Sequence, residues 1–321
     1  MPIDYKHELT RNAKGGTELM SQALESRLDP KLLDKFQIIP SRVRNIDESR
    51  VRIFWAHDLP GDPESEFLKN GGYNKFERIV FASNWQMQQY IQYYGIPWYK
   101  CNVIQNAITP IDRHEKPDPK ERVNFIYHTT PHRGLHLLVP AFEKLAEKYG
   151  DKVHLDVYSS FKIYGWEERD KQFEQTFERI KNHPQMTYHG SVDNSEIREA
   201  LKKAHVFAYP SIWMETSCIA LIEAMSAGLL CIHSNLAALP ETAANWTWMY
   251  QFTEDQREHA THIYGMMEGA VEVLQEGDAT LQNMLTAQAT YMHRFYDWDL
   301  RHIQWDSFLK SILQKKNIKL D

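Results

Sequence analysis

The sequence predicts an α/β protein of two doubly wound units, each a parallel sheet flanked by helices. Three observations carry that expectation. Short apolar strands alternate with helical patterns in both halves of the 321-residue chain. The runs VRIFWA (51–56) and RIVFA (78–82) are almost continuously apolar, as strands covered on both faces must be. Between the halves lies ITPIDRHEKPDPKER (108–122), where three prolines and dense charge read as a linker. In such sheets ligands bind at the carboxyl ends of the strands, so a cleft between the units is the expected site.

In the first half a helix follows the Lys14-Gly15-Gly16 turn over 17–28. Strands come next at FQIIP (36–40), VRIFWAHD (51–58) and RIVFAS (78–83). The stretch NWQMQQYIQYYG is helical and stops at Gly95 and Pro97. CNVIQNAI (101–108) reads as a further strand. The second half opens with the strand NFIYHT (124–129), a helix over 135–149 ended by Gly150, and the strand VHLDVYS (153–159). A charged helix is expected over about 165–182, then the strand MTYHG (186–190). Asp193 with Glu196 has the capping-box spacing before SEIREALKKA. HVFAYPS (205–211) is a strand, 217–227 a helix ended by Gly228, and LLCIHS (229–234) a strand. Helices fill 256–275, 279–296 and 298–316. No opening strand is legible before the Gly-Gly turn.

Composition narrows the function classes. Hydrophobic residues at 42% and charged residues at 25% belong to a folded globular chain. Lys plus Arg number 37 and Asp plus Glu 43, a net charge of −6, so no drive toward nucleic acid or anionic lipid is expected. Residues 1–115 hold 15 basic and 15 acidic side chains, so the deficit lies wholly in 116–321. Three cysteines without CxxC or metal-ligand spacing fit a reducing cytoplasm. No apolar run reaches the ~18 residues of a membrane span. MPIDYKHELT does not read as a signal peptide.

The most informative stretch is HGSVDNSEIREALKKAHVFAYPSIWMETSCIALIEAMSAGLLCIHSNLAALPET (189–242). A strand ends at Tyr209-Pro210-Ser211, a loop carries Trp213 and Glu215, and a helix is expected to begin near Thr216. Glu223 follows Glu215 by eight residues, ~12 Å along a helix. Between them the helix start would offer free amides of Thr216, Ser217 and Cys218 to a phosphate. Glu223 sits within CIALIEAM, where a carboxylate is costly without partners. A nucleotide-sugar along the helix start satisfies this arrangement: Glu215 at the sugar, amides at the diphosphate, Glu223 at the ribose.

At ETSCIALIEAMSAG the chain resembles the retaining glycosyltransferases of family 4, whose signature is a glutamate, seven residues, and a glutamate in an EAMA-G context. The likeness extends through IYHTTPHRGLHLLVPAFEKL (126–145), VFASNWQMQQYIQYYGIP (80–97) and VIQNAI (103–108). It takes in FYDWDLRHIQW (295–305) as well. The resemblance implies the GT-B fold. An acceptor-side domain would cover 1–115, completed by a last helix (298–321) crossing back to it. A donor-binding domain would cover 116–297.

It also implies roles. Glu215 would bind the transferred sugar, Glu223 the ribose, and Arg133 the diphosphate, with Thr130 in the same loop and Val192 near the base. Gly15 and Gly16 would face the donor's phosphate and sugar, and His57 the reacting hydroxyls. The reaction implied is transfer of a hexose from a nucleotide-diphosphate sugar, a UDP-sugar by preference, to a glycan, lipid-linked or small-molecule acceptor. Configuration is retained, and no metal or further cofactor takes part. Asp297-Trp298-Asp299 looks like a DxD metal motif but sits at a helix start near the C-terminus. A sugar-nucleotide epimerase or hydrolase on this fold, or a nucleotide-sugar-binding module without transfer activity, are the alternatives. A nicotinamide enzyme is disfavoured because no GxGxxG follows a strand. The chain departs from the family in having Thr129 and Thr130 where an arginine is usual, and Ser217 and Cys218 where glycines are.

Overall fold

The computed structural model describes residues 15–112 and 114–320. The chain divides into two compact units, one of Met1–Ala107 with Tyr296–Asp321 and one of Ile108–Phe295. Lys14, singled out with the Gly-Gly turn, lies outside the described residues.

The first unit opens with α1 (Gly16–Glu25) and α2 (Pro30–Asp34). Then come β1 (Phe36–Pro40), β2 (Val51–Ala56), β3 (Arg78–Phe81), α3 (Asn84–Tyr94) and β4 (Cys101–Val103). Among the described residues its sheet runs β1-β2-β3-β4, every pair parallel. Phe54, Phe76, Phe81 and Tyr90 are almost wholly buried in one core, which explains the unbroken apolar character of β2 and β3. α3 is delimited as its sequence demands. Ser83 accepts the Gln86 amide at its start, and Gly95 at φ +67° ends it. α2 escapes a periodicity reading because it has only five residues, set by Asp29 as N-cap and Pro30 behind it. β4 is shorter than expected. The Ile104 amide still reaches the Phe81 carbonyl (3.0 Å), after which the chain leaves the sheet.

The second unit contains β5 (Val123–Tyr127), α4 (Leu135–Tyr149), β6 (Val153–Val157), α5 (Glu174–Lys181) and β7 (Met186–Tyr188). It continues with α6 (Asn194–Lys203), β8 (Val206–Tyr209), α7 (Ile219–Ser226), β9 (Leu230–Ser234) and α8 (Leu239–Ala243). It closes with β10 (Trp248–Tyr250), α9 (Gln256–Glu276) and α10 (Ala279–Phe295). The sheet order is β10-β9-β8-β5-β6-β7, all parallel. The chain therefore enters at the middle, builds outward through β6 and β7, returns beside β5, and builds the other way. The reversal lies between β5 and β8, the position at which such sheets present ligand-binding loops.

The last helix, α11 (Trp298–Lys315), belongs to the first unit. Trp305 packs edge-on against Trp55 of β2 (centroids 4.9 Å), Arg27 lies over Trp298, and Lys316 pairs with Glu77. Asp297 is its N-cap, accepting the Asp299 amide at 3.0 Å, so the DxD-like sequence works as a helix start.

Two expectations are corrected. The charged segment 165–182 is not one helix. Gly165 at φ +75° breaks it, and Asp170 turns back to bind the Phe161 amide (2.8 Å) and the Ser160 hydroxyl. Only α5 remains α-helical, after two 3-10 turns at Phe161–Tyr164 and Glu167–Phe173. The stretch 108–122 is not a free tether either. The Lys116 ammonium donates to the Leu201 and Ala204 carbonyls at the end of α6, and His205 bonds the Pro117 carbonyl. Among the described residues no helix is long and apolar enough to cross a membrane.

Candidate functional site

At the switch point two loops meet. The loop after β5 carries Thr129, Thr130, a 3-10 turn at Pro131–Arg133, and Gly134. The loop after β8 carries Pro210 to Cys218. Gly134 adopts φ +119°, and a Cβ there would stand 2.0 Å from the Pro210 carbonyl oxygen. Only glycine allows the two loops to approach so closely. The Ile212 amide bonds the Arg133 carbonyl (3.3 Å), which ties them further.

That approach joins Arg133 to Glu215. The guanidinium Nη1 donates to Glu215 Oε1, and the Tyr209 hydroxyl donates to the same oxygen. Both donors converge on Oε1, leaving Oε2 for a ligand. Glu215 is 6% exposed and Arg133 largely buried. Burial opposes the guanidinium charge, but the adjacent Glu215 carboxylate prevails and holds its pKa well above the usual value. Burial, then the Glu215 charge, pushes the Tyr209 hydroxyl far up, so Tyr209 stays a donor. Glu215 engages one of the five guanidinium N–H donors, and among the described residues Nε has no hydrogen-bond partner. Among the described residues the buried Thr130 hydroxyl likewise has no hydrogen-bond partner. Such atoms are expensive to bury unless something else meets them.

Glu223 lies on α7 and is 7% exposed. Asn194 Nδ2 donates to both its oxygens (3.2 and 3.4 Å), and Arg198 Nη1 stands 3.8 Å from Oε1. Burial raises the Glu223 pKa, against smaller lowering effects of Asn194 and Arg198. Three long contacts leave this buried carboxylate with acceptor capacity to spare.

The helix start differs from the expectation. α7 begins at Ile219 with Cys218 as N-cap, and the first helical bond runs from the Ile222 amide to the Cys218 carbonyl (3.1 Å). Thr216 and Ser217 therefore precede the helix. The first-turn amides are those of Ile219, Ala220 and Leu221, and those of Ala220 and Leu221 lie close enough to Cys218 to influence its thiol. Burial, then the Glu215 charge, raises the Cys218 thiol pKa strongly, which keeps the sulfur neutral. The helical rise applies only from Ile219, so the eight-residue spacing does not set a ~12 Å separation.

Val192 is half-buried in the turn between β7 and α6. The capping bond there runs from the Glu196 amide to the main-chain carbonyl of Asp193 (2.9 Å). Gly15 and Gly16 belong to the first unit, where Gly15 is the N-cap of α1 at φ −71°. His57 follows β2, its amide donating to Ser41 Oγ (3.2 Å) and its ring 4.5 Å from that of Trp55. Burial lowers its pKa to about 3, so the imidazole is neutral.

Several members of the site are not singled out by the sequence reading. Tyr209 ends an apolar strand and reads as core. His132 stacks on Phe161 and meets Trp213 edge-on (4.8 Å), holding a tryptophan that is 45% exposed next to Glu215. Asn194 and Arg198 read as ordinary helix positions.

A family model described as glycosyl transferases group 1 matches residues 109–269, just over half of the chain. The chain belongs to this family. The matched region contains Thr130, Arg133, Val192, Glu215 and Glu223. Part of the chain resembles a subunit of the human phosphatidylinositol N-acetylglucosaminyltransferase. The two are 28% identical over 145 residues, 44% of this chain and 28% of that protein's length. Among solved structures, a glycosyltransferase from Rickettsia africae ESF-5 superposes with a TM-score of 0.68 at 15% identity, covering 96% of this chain and 84% of that one. Anabaena Alr3699/HepE in complex with UDP-glucose gives 0.61 at 13%, covering 92% and 82%. With two parallel-sheet α/β units, these likenesses make the fold GT-B.

Proposed function

We propose that this chain is a retaining glycosyltransferase that moves a hexose from a nucleotide-diphosphate sugar, a UDP-sugar by preference, to an acceptor hydroxyl. The observation that carries the reading is the Arg133–Glu215 pair at the switch point, buried yet with donors and an acceptor oxygen unspent. Arg133 and the first turn of α7 meet the diphosphate, where a planar cation and oriented amides suit phosphate oxygens. Glu215 Oε2 takes a hydroxyl of the transferred sugar, and Glu223 takes the ribose hydroxyls. Thr130 and Thr129 line the phosphate loop, Ser217 and Cys218 lead into the helix start, and Val192 lies by the base. For Gly15 and Gly16 at the start of α1, and for neutral His57 after β2, the proposal keeps the roles that the family resemblance implies.

In this mechanism the anomeric C–O bond breaks through an oxocarbenium-like state. The leaving diphosphate is stabilised by Arg133 and the amides. The acceptor hydroxyl attacks from the face the diphosphate leaves, giving its proton to a departing phosphate oxygen. Charge neutralisation rests on Arg133 rather than on a metal. The UDP preference draws support from the UDP-glucose complex of the Anabaena neighbour, and the hexose from the human relative's name. A cytoplasmic location and a glycan, lipid-linked or small-molecule acceptor complete the proposal.

The test incubates the protein with UDP-hexoses and GDP-mannose over an acceptor panel, reading nucleotide release and the product's anomeric configuration by NMR. Nucleotide release with retained configuration is expected. An inverted product, or no consumption of any nucleotide-sugar, contradicts it.

A further inference from the structure

The guanidinium of Arg198, on α6, makes contacts in two directions. Its Nη1 donates to the Thr109 carbonyl (2.8 Å) and its Nη2 to the Pro110 carbonyl (2.9 Å). The same Nη1 stands 3.8 Å from Glu223 Oε1. Thr109 and Pro110 are the second and third residues of the second unit, directly after the chain leaves the first at Ala107. One residue on, the Ile111 amide donates to Ser226 Oγ (3.0 Å). Ser226 is three positions after Glu223 on α7 and so lies on the same face. The segment 108–111 forms no helix, and Ile108 and Ile111 are buried at 4% and 1% exposure. Side chains from α6 and α7 thus fix it at two points.

The two points differ in kind. The Ser226 bond is a neutral anchor whose hydroxyl meets the Ile111 amide rather than the Glu223 carboxylate. The Arg198 anchor shares its charge with Glu223. Of the three contacts around that carboxylate, only that with Arg198 leads to another part of the chain. Its 3.8 Å length is beyond a hydrogen bond and inside an ion pair, where a few tenths of an ångström change the interaction strongly.

We propose that Arg198 is a positioning residue that couples Glu223 to segment 109–111, so that a nucleoside diphosphate at Glu223 steadies the stretch through which the second unit is joined to the first. The inference rests on the reading of Glu223 as the ribose contact. A ligand that fixes the Glu223 carboxylate fixes the charge facing Arg198, and Arg198 in turn holds both carbonyls harder. Coupling of this kind is reciprocal, so loosening the segment weakens nucleotide binding.

The experiment is hydrogen exchange of the peptide covering 108–114, with and without saturating UDP, in wild type, Arg198→Lys, Arg198→Met and Ser226→Ala. Saturation is established first by thermal shift with UDP and GDP, and the nucleotide that binds is used. In wild type, nucleotide slows exchange of this segment by about fivefold, the lower end of ordinary coupling. Arg198→Met raises exchange and brings the ratio with and without nucleotide close to one. Arg198→Lys, which keeps the charge, restores part of the ratio. Ser226→Ala raises exchange in both states and keeps the ratio, because it loosens the segment without touching the coupling. An unchanged ratio in Arg198→Met, or nucleotide binding in wild type without protection of the segment, overturns the inference and leaves the Glu223 reading standing. Absence of nucleotide binding in wild type overturns both.

Discussion

Glu215 is held by two donors on one oxygen, and the consequences of removing either differ. Tyr209→Phe removes a neutral donor. The expected outcome is a stability loss of about 1 kcal/mol in urea unfolding, with reduced turnover and little change in nucleotide affinity. Arg133→Ala leaves Glu215 buried without its cation, so a loss of about 3 kcal/mol or more is expected. Calorimetry should show affinity falling for UDP more than for uridine, and equal losses would count against the diphosphate role. Glu223→Ala is expected to weaken binding of the bare nucleotide, whereas Glu215→Ala keeps it and loses turnover. Wild-type transfer rates in both would remove these residues from the site. At this scale the two acids are legible because one interrupts an apolar run, where a carboxylate demands partners. Those partners are not legible. Asn194 and Arg198 are 29 and 25 positions from Glu223 in sequence, and nothing local to α6 marks which of its polar residues will face α7.

The loops after β5 and β8 act as one element because Gly134 lets them touch. Gly134→Ala places a Cβ against the Pro210 carbonyl in a left-handed conformation, two penalties at one position. A destabilisation of about 3 kcal/mol is expected, read by denaturant titration together with loss of nucleotide binding. A variant as stable as the parent would mean that the loops are free to separate. The main helices and most strands follow from apolar period and from glycine stops such as Gly95, Gly150 and Gly228. Short elements do not. Three-residue β10 carries no period, and α8 has five residues. α7 starts at Ile219 rather than near Thr216, because Cys218 in extended conformation takes the N-cap position. Segment 165–182 has helical composition, but Asp170 bonds backward to Ser160 and Phe161, a tertiary-like contact that period cannot register.

Stability of the whole molecule is tied to pH through buried imidazoles. His233 on β9 is fully buried, with Nδ1 bonded to the Ser234 carbonyl (2.8 Å) and Nε2 to Thr247 Oγ1 (2.7 Å). A neutral ring that donates from Nδ1 and accepts at Nε2 satisfies both. Burial lowers its pKa from 6.5 to about 4. Between those values the unfolded chain binds the proton and the native one does not, so stability falls as pH drops from about 6.5 toward 4. Near pH 5 the effect is about 2 kcal/mol. Urea titrations at pH 7 and 5 should show a loss of at least that size, since buried His57 adds to it, and the loss should shrink by about this amount in His233→Gln; an unchanged slope would mean that the ring titrates in the native state. At this scale the α/β class and the division into two units are legible, because strand–helix alternation and the proline-rich segment both survive in the linear sequence. The order of the second sheet is not. Its reversal between β5 and β8, which places Arg133 beside Glu215 across a separation of 82 positions, comes from the intervening chain folding back to the middle of the sheet.

The most direct measurement is a crystal structure of the protein soaked with UDP. The diphosphate is predicted against Arg133 and the first turn of α7, with the ribose hydroxyls on Glu223. Nucleotide bound elsewhere, with Glu223 still facing only Asn194 and Arg198, would contradict the assignment of the site.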